Sequence, residues 1–448
     1  MTLPESLLLS RLQFALTAMF HILWPVLTIG LSIYLVVMEA LWLKTGKDFY
    51  YRQARFWMRL FLLNAAVGVV TGIPLEFQFG TNWTHFARAG GDIFGHLLGF
   101  EAAMAFMLEA TFLGIMAFGW RRVSPAMHLF ATAMVAFGAS LSAFWIMVAN
   151  SWMQTPTGGS FINGAFVLKD QFAGIFNPDA HWAVSHMWLA CLEISLFVIG
   201  GISAWYLRRD RQIDFFLASF KMMLVASLVI TPLQIFLGDG SGQSIRQSQP
   251  EKLAAIEGHW QTNPPGTGAA WKILALPDQE AQKNNWQIEI PYALSLITTH
   301  SLTGTVRGLR EFPVNDQPPV LLPFYAFRVM LLAGFAFLVL SLWSLIAWHR
   351  GLLQPDRISR QKWLLRCWMI ALPLSYLAME AGWITREVGR QPWIIYGVIR
   401  TGEGATNLPA TTVSTSLLGF AVFYLFLFLL FLHFARRIIL RGPMEGKK

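Results

Sequence analysis

Charge is what this sequence has least of. Only 13% of its 448 residues are Asp, Glu, Lys or Arg, against 55% hydrophobic and 14% aromatic, and its mean hydropathy is +0.48. An ordinary soluble domain carries about 25% charged residues, so that class is excluded. Cysteine is nearly missing as well. Cys191 and Cys367 form no C-x-x-C or C-x-x-C-H pattern, which excludes a covalently attached c-type haem, and both fall in apolar runs. Short-period repeats and low-complexity tracts are absent too, so the chain is neither a solenoid nor a linker.

What is present is apolar length. Crossing ~30 Å of hydrocarbon takes about 20 residues of helix, and runs of that size recur at 15–42, 56–76, 93–119, 126–150, 181–206, 215–237, 324–348, 363–385 and 412–435. The pattern predicts an all-α polytopic membrane protein of nine spans, with residues 1–448 forming one integral membrane domain. The first run is longer than a signal-peptide core and has no small-residue cleavage site behind it, so it is read as a retained helix. Basic residues follow the odd-numbered spans: Lys44, Lys47, Arg52 and Arg55; Arg121 and Arg122; Arg208, Arg209 and Arg211; Arg350, Arg357, Arg360 and Lys362; Arg436, Arg437, Arg441, Lys447 and Lys448. By the positive-inside rule those exits and the C-terminus face the cytoplasm. The N-terminus and the segments 151–180, 238–322 and 386–411 then face outward, into the periplasm. The net charge of +9 is accordingly a topogenic signal and an attraction to anionic lipid, with no nucleic-acid partner implied. Segment 238–322, between spans six and seven, has too much ordered-looking sequence for a passive linker.

Several ionisable side chains lie inside these spans, at an insertion cost of ~2.5–3.5 kcal/mol each at the bilayer centre. They are His21, Glu101, Glu109, His186 and Glu193, with Glu380 and Glu387 flanking the end of span eight. In a regular helix Glu101 and Glu109 stand ~80° apart and two turns along, so they can line one path. Alone, each glutamate also reads as a protonated group bonded to Ser, Thr or a carbonyl, and His186 or Met330 as packing. Together, His186 and Met330 can supply the His/Met pair of a six-coordinate haem iron suited to electron transfer. Arg328, two residues before Met330, can then neutralise a propionate. His21 has no such Met partner, so an iron there keeps an open position for oxygen.

The motifs SRLQFALTAMFH, EFQFGTNW, GFEAAMAFMLEATF, LSAFWIMVANSWMQ, LGDGSG, EKLAAIEGHW, IPYALS, AFRVM and GWITREVGRQPW follow one another along the whole chain. In order and spacing they resemble subunit I of the cytochrome bd quinol oxidases. EKLAAIE combined with GWxxxExGRQPW is the most specific part. The resemblance implies His21 as axial ligand of a high-spin haem, with Glu101 at the same buried di-haem centre and also a potential iron ligand. It implies His186 and Met330 as the ligands of low-spin haem b, and Glu387 as a ligand of the other high-spin haem, with Trp383, Arg390 and Trp393 around it. Which high-spin haem sits at His21 and which at Glu387 stays open. Glu109 and Ser142 match the proton path from the cytoplasm, and Lys252 and Glu257 the quinol-binding residues of the external 238–322 loop.

The same resemblance implies a terminal oxidase of the bacterial cytoplasmic membrane. It takes electrons from ubiquinol or menaquinol outside and passes them through haem b to a high-spin haem b paired with haem d or a further haem b. Oxygen is reduced there to water with cytoplasmic protons, building charge separation without a pump. Expected partners are a homologous-fold subunit II, a small single-helix accessory subunit and membrane lipid. The 238–322 loop lacks the long C-terminal insertion of some members, which marks a short-loop form. His96 in HLLGFE resembles the cyanide-insensitive branch, in which haem b replaces haem d. Two other readings are a haem relay without oxygen chemistry and a transporter whose glutamates form an ion path. The first leaves His21, Glu101 and Glu387 without purpose, and the second leaves EKLAAIE unexplained.

Overall fold

A computed structural model of the chain describes residues 4–443. Lys447 and Lys448, expected to mark the last cytoplasmic exit, lie outside the described residues. Among those described, nine helices are long and apolar enough to cross a membrane: Glu5–Thr45, Asp48–Gly80, Gly91–Arg121, Pro125–Gln154, Ala180–Leu207, Ile213–Ser248, Leu321–His349, Lys362–Val388 and Ala410–Arg441. They are spans one to nine. Each contains the expected apolar run and extends past it, because the helix continues beyond the hydrocarbon wherever the backbone finds no better partner.

Spans one, two, five and six meet in the largest core, where Trp57, Phe197, Phe216 and Phe220 are fully buried. Close approach there depends on small residues. A Cβ on Gly30 of span one would lie 2.3 Å from the Cys191 carbonyl and the Ser195 hydroxyl of span five. Coverage is uneven. The apolar window of span five is 78% buried, that of span three 17% and that of span nine 6%. Spans three and nine therefore present most of their apolar surface outward.

Two differences from the sequence reading have clear causes. Span six was expected to end at 237, yet the helix runs to Ser248. Its glycines make room and do not break it: a Cβ on Gly238 would lie 3.4 Å from His186 Cε1, and one on Gly240 would overlap the Trp182 ring. The second difference is in span three, where Glu101–Phe106 is wound as π-helix. The regular-helix angle between Glu101 and Glu109 does not apply across that stretch.

The all-α expectation holds for the membrane portion, while the connections add three antiparallel hairpins: Gly159–Ile162 with Ala165–Leu168, Trp271–Asp278 with Lys283–Ile290, and Trp393–Ile395 with Ile399–Arg400. After span six the chain turns into the short helix Pro250–Glu257, closed by Gly258 at φ 56°, then the second hairpin and the helix Ala293–Thr299. The loop is thus a folded cap.

Candidate functional site

Spans five to eight pack as one bundle, and His186 lies inside it. Gln234 of span six contacts His186 Nε2 at 3.4 Å, which leaves His186 Nδ1 and Gln234 Oε1 buried without partners. Buried polar atoms in folded chains are rarely left so, and an iron atom on the imidazole would relieve the deficit. Met330 enters from span seven, where Gly382 of span eight keeps the space beside its sulfur free: a Cβ there would lie 3.0 Å from Sδ. Trp383, the next residue, has its indole Nε1 buried and unpaired.

His21 Nδ1 lies 3.0 Å from the Thr71 hydroxyl of span two. That hydroxyl also donates to the Val67 carbonyl at 3.0 Å, so it accepts from Nδ1–H and leaves the Nε2 lone pair free. Metal-ligating histidines are fixed in this way. Gly72 leaves room against the ring, since a Cβ there would be 3.2 Å from Cε1.

Span four ties the two remaining clusters together. Ser142 Oγ donates to Glu101 Oε1 at 2.7 Å, and Gly138 lets the backbone of Glu109 pack against the same helix. Toward its end, Asn150 Nδ2 and Gln154 Nε2 donate to Glu387 Oε1 at 2.9 and 3.3 Å. Arg390 Nη2 reaches Glu387 Oε2 at 2.5 Å, while Arg390 Nε and Nη1 are buried without partners, as a guanidinium waiting for an anion would be. Arg386 holds Asp179 and Asn150 Oδ1, each at 2.5 Å. Trp393 packs in its hairpin with the Arg400 guanidinium 4.4 Å over its ring.

The loop residues Lys252 and Glu257, although outside the spans, are 1% and 3% exposed. They do not pair with each other. Lys252 Nζ donates to Gln154 Oε1 at 3.0 Å, and Glu257 Oε2 accepts from Arg328 Nη2 at 2.7 Å. Arg328, expected beside a propionate, gives the rest of its fork to the Ile256 and Lys272 carbonyls and lies 3.7 Å over the Phe324 ring. Burial pushes the Glu257 carboxyl up, opposed by Arg328. Burial, and next the charge of Arg386, press Lys252 down to about 7.

Sequence reasoning passed over Glu76, within electrostatic reach of Glu101, although it sits in the quoted EFQFGTNW. It also missed Gln154, Asn150 and the Asp179–Arg386 pair, and the buried Glu39–His128 pair at 2.8 Å. The cost of charge in an apolar run would have flagged Glu39. Among the described residues no cluster of three or more His, Cys, Asp or Glu can hold a bare metal ion. One or two protein ligands at a time suit an iron that brings a porphyrin with it.

The family model "Cytochrome bd terminal oxidase subunit I" matches residues 9–443. The chain is 36% identical to cytochrome bd ubiquinol oxidase subunit 1 of Bacillus subtilis (strain 168), over 98% of this chain and 94% of that one. It is 35% identical to cytochrome bd-II ubiquinol oxidase subunit 1 of Escherichia coli (strain K12), over 92% and 91%. The solved structure of bd oxidase from Geobacillus thermodenitrificans superposes with a TM-score of 0.89 at 30% identity, covering 98% and 99% of the two chains.

Proposed function

The chain belongs to the cytochrome bd terminal oxidase subunit I family, and on that premise we propose that it oxidises quinol at the outer face of a bacterial cytoplasmic membrane and reduces oxygen inside it. The observation that carries this reading is the clamp between loop and bundle. Glu257, on the short loop helix, is ion-paired to Arg328, two residues before Met330. A loop that reads quinol is thereby fastened to a helix bearing a haem ligand.

His186 and Met330 would hold low-spin haem b, and His21, Glu101 and Glu387 the high-spin pair, haem b with haem d or a second haem b. When bound, the haems carry single electrons from quinol and provide the position at which oxygen is reduced. Glu257 accepts a quinol hydroxyl proton, which is released outside, and Lys252 orients the ring with the donors Gln154 leaves free. Glu109, Ser142 and Glu101 hold protons drawn from the cytoplasm, so charge is separated without a pump. The two free nitrogens of Arg390 neutralise a propionate. A pyridine haemochrome spectrum and oxygen uptake with reduced quinol test the reading together. A colourless protein, or a coloured one that consumes no oxygen, overturns it.

Relatives named subunit 1 imply a subunit II, and the outward apolar faces favour its docking along span three, whose Met104, Phe106 and Met107 are exposed. A single-helix accessory subunit would cover part of the remainder. Expression without subunit II should give poorly haem-loaded protein, checked by the haem-to-protein ratio.

Glu101→Gln keeps the size of the side chain and the bond from Ser142 but cannot ionise. Oxygen consumption should fall about 100-fold, at the low end for loss of a positioned acid–base group, and Glu109→Gln should fall less. Haem b reduction by quinol should persist in both. Full turnover in both variants would exclude the proton path.

Lys252 predicts a pH dependence. Its pKa falls from the ordinary 10.5 to about 7 on folding, so between those values the unfolded chain binds more protons. Stability from this group therefore rises with pH across that window. Quinol binding runs the other way, because the ammonium is lost above about 7. KM for quinol should climb there in the native enzyme and stay flat in Lys252→Met; an unchanged inflection in that variant would assign it elsewhere.

A further inference from the structure

Gln154, the last residue of span four, stands between the loop lysine and the iron-ligand carboxylate. It is 2% exposed. Its Oε1 accepts from Lys252 Nζ and from Gln249 Nε2, each at 3.0 Å, while its Nε2 donates to Glu387 Oε1 at 3.3 Å. These partners fix the amide. Turned over, it would set its NH₂ against an ammonium and its carbonyl oxygen against a carboxylate. The Gln154 backbone carbonyl accepts from Gln249 as well, at 2.8 Å, so the start of the loop helix is pinned to the same residue. Lys252 reaches the amide along the backbone just beyond Glu387, where a Cβ on Gly389 would lie 3.2 Å from its Cγ and Cε.

We propose that Gln154 is a positioning residue that couples the quinol loop to the high-spin haem, by transmitting the charge of Lys252 to the carboxylate of Glu387. The ammonium polarises the amide carbonyl, and the polarised N–H draws electron density from Glu387 Oε1. A carboxylate so held donates less to iron, which raises the reduction potential. A quinol oxygen that takes the ammonium weakens the pull, so occupancy at the loop is felt at the ligand without movement of the loop. The coupling is electrostatic and needs no covalent step.

This inference rests on Glu387 being an iron ligand, and the test separates the two. Redox titration of the assembled, haem-loaded oxidase follows the high-spin and low-spin bands in Gln154→Leu, Lys252→Met and the double variant. Each single change should lower the high-spin midpoint and leave the low-spin midpoint unmoved. The double change should lower it by clearly less than the sum, because both cut one relay. Additive shifts, or no shift in either single variant, overturn the coupling. If Gln154→Leu fails to assemble, Gln154→Met, of nearly the same length, takes its place in the cycle. In parallel, Glu387→Ala should lose one high-spin haem by pigment analysis. Retention of that haem overturns the ligand assignment, whereas its loss together with additive shifts overturns the coupling alone.

Discussion

Oxidase carrying His186→Ala should lose its low-spin haem band, and quinol-driven oxygen consumption should fall by about 100-fold or more. Removing a hydrogen-bond partner of a metal ligand already costs about 10–100-fold, and on the proposed assignment the ligand itself goes. Met330→Leu should have the same direction, with less disturbance of packing: leucine nearly conserves the volume, and Gly382 leaves the space it needs. On the proposed assignment each variant removes one axial bond. Reduced-minus-oxidised spectra decide, and retention of the native low-spin band and midpoint in either would show that the residue is not a ligand.

The second large effect is at Glu257. Glu257→Gln still offers an oxygen to Arg328 Nη2 but cannot take a proton, so quinol oxidation should drop 100-fold or more, within the ~10²–10⁴ range for a general base. Haem bands should stay, as should the oxygen reaction of enzyme reduced chemically. Glu257→Ala should behave differently. It leaves the Arg328 guanidinium buried without its anion, a loss of about 3–5 kcal/mol for a broken buried pair. Arg328 sits two residues from Met330, so the alanine variant should also displace the low-spin band. Identical spectra in the two variants would mean that the clamp does not reach the ligand, and normal quinol oxidation in the glutamine variant would place the base elsewhere.

Membrane architecture was legible in the sequence because hydrocarbon tolerates so little variety: an apolar run of sufficient length has to be helix. Candidate ligand residues could be singled out for the related reason that His21, Glu101 and Glu387 stand out in or beside apolar runs. Interpretation failed where a residue serves a neighbour far along the chain. Gly238 and Gly240 lie past the expected end of span six at 237, and only the rings of His186 and Trp182 explain them. By composition alone Lys252 and Glu257 read as solvated, the motif alone argues otherwise, and nothing local foretells that a cap folds over them. Gln154 is unremarkable in ANSWMQ, and its meaning lies in partners 98 and 233 positions away. Arg328 was singled out for standing two residues before Met330, and its ion pair with Glu257 depended on where the loop helix came to rest.

The π-wound segment Glu101–Phe106 gives span three an unusual genetic tolerance. A π turn holds one residue more than an α turn, so an in-frame deletion of a single codon from 102–106 would let the helix rewind as regular α with the segments on both sides kept in register. Glu101 would stay against Ser142 and Glu109 on Gly138. The same loss in a regular stretch of a span would turn one side of the helix by about 100° against the other. Codon loss in this short window should therefore lower oxygen consumption far less than codon loss elsewhere in the spans.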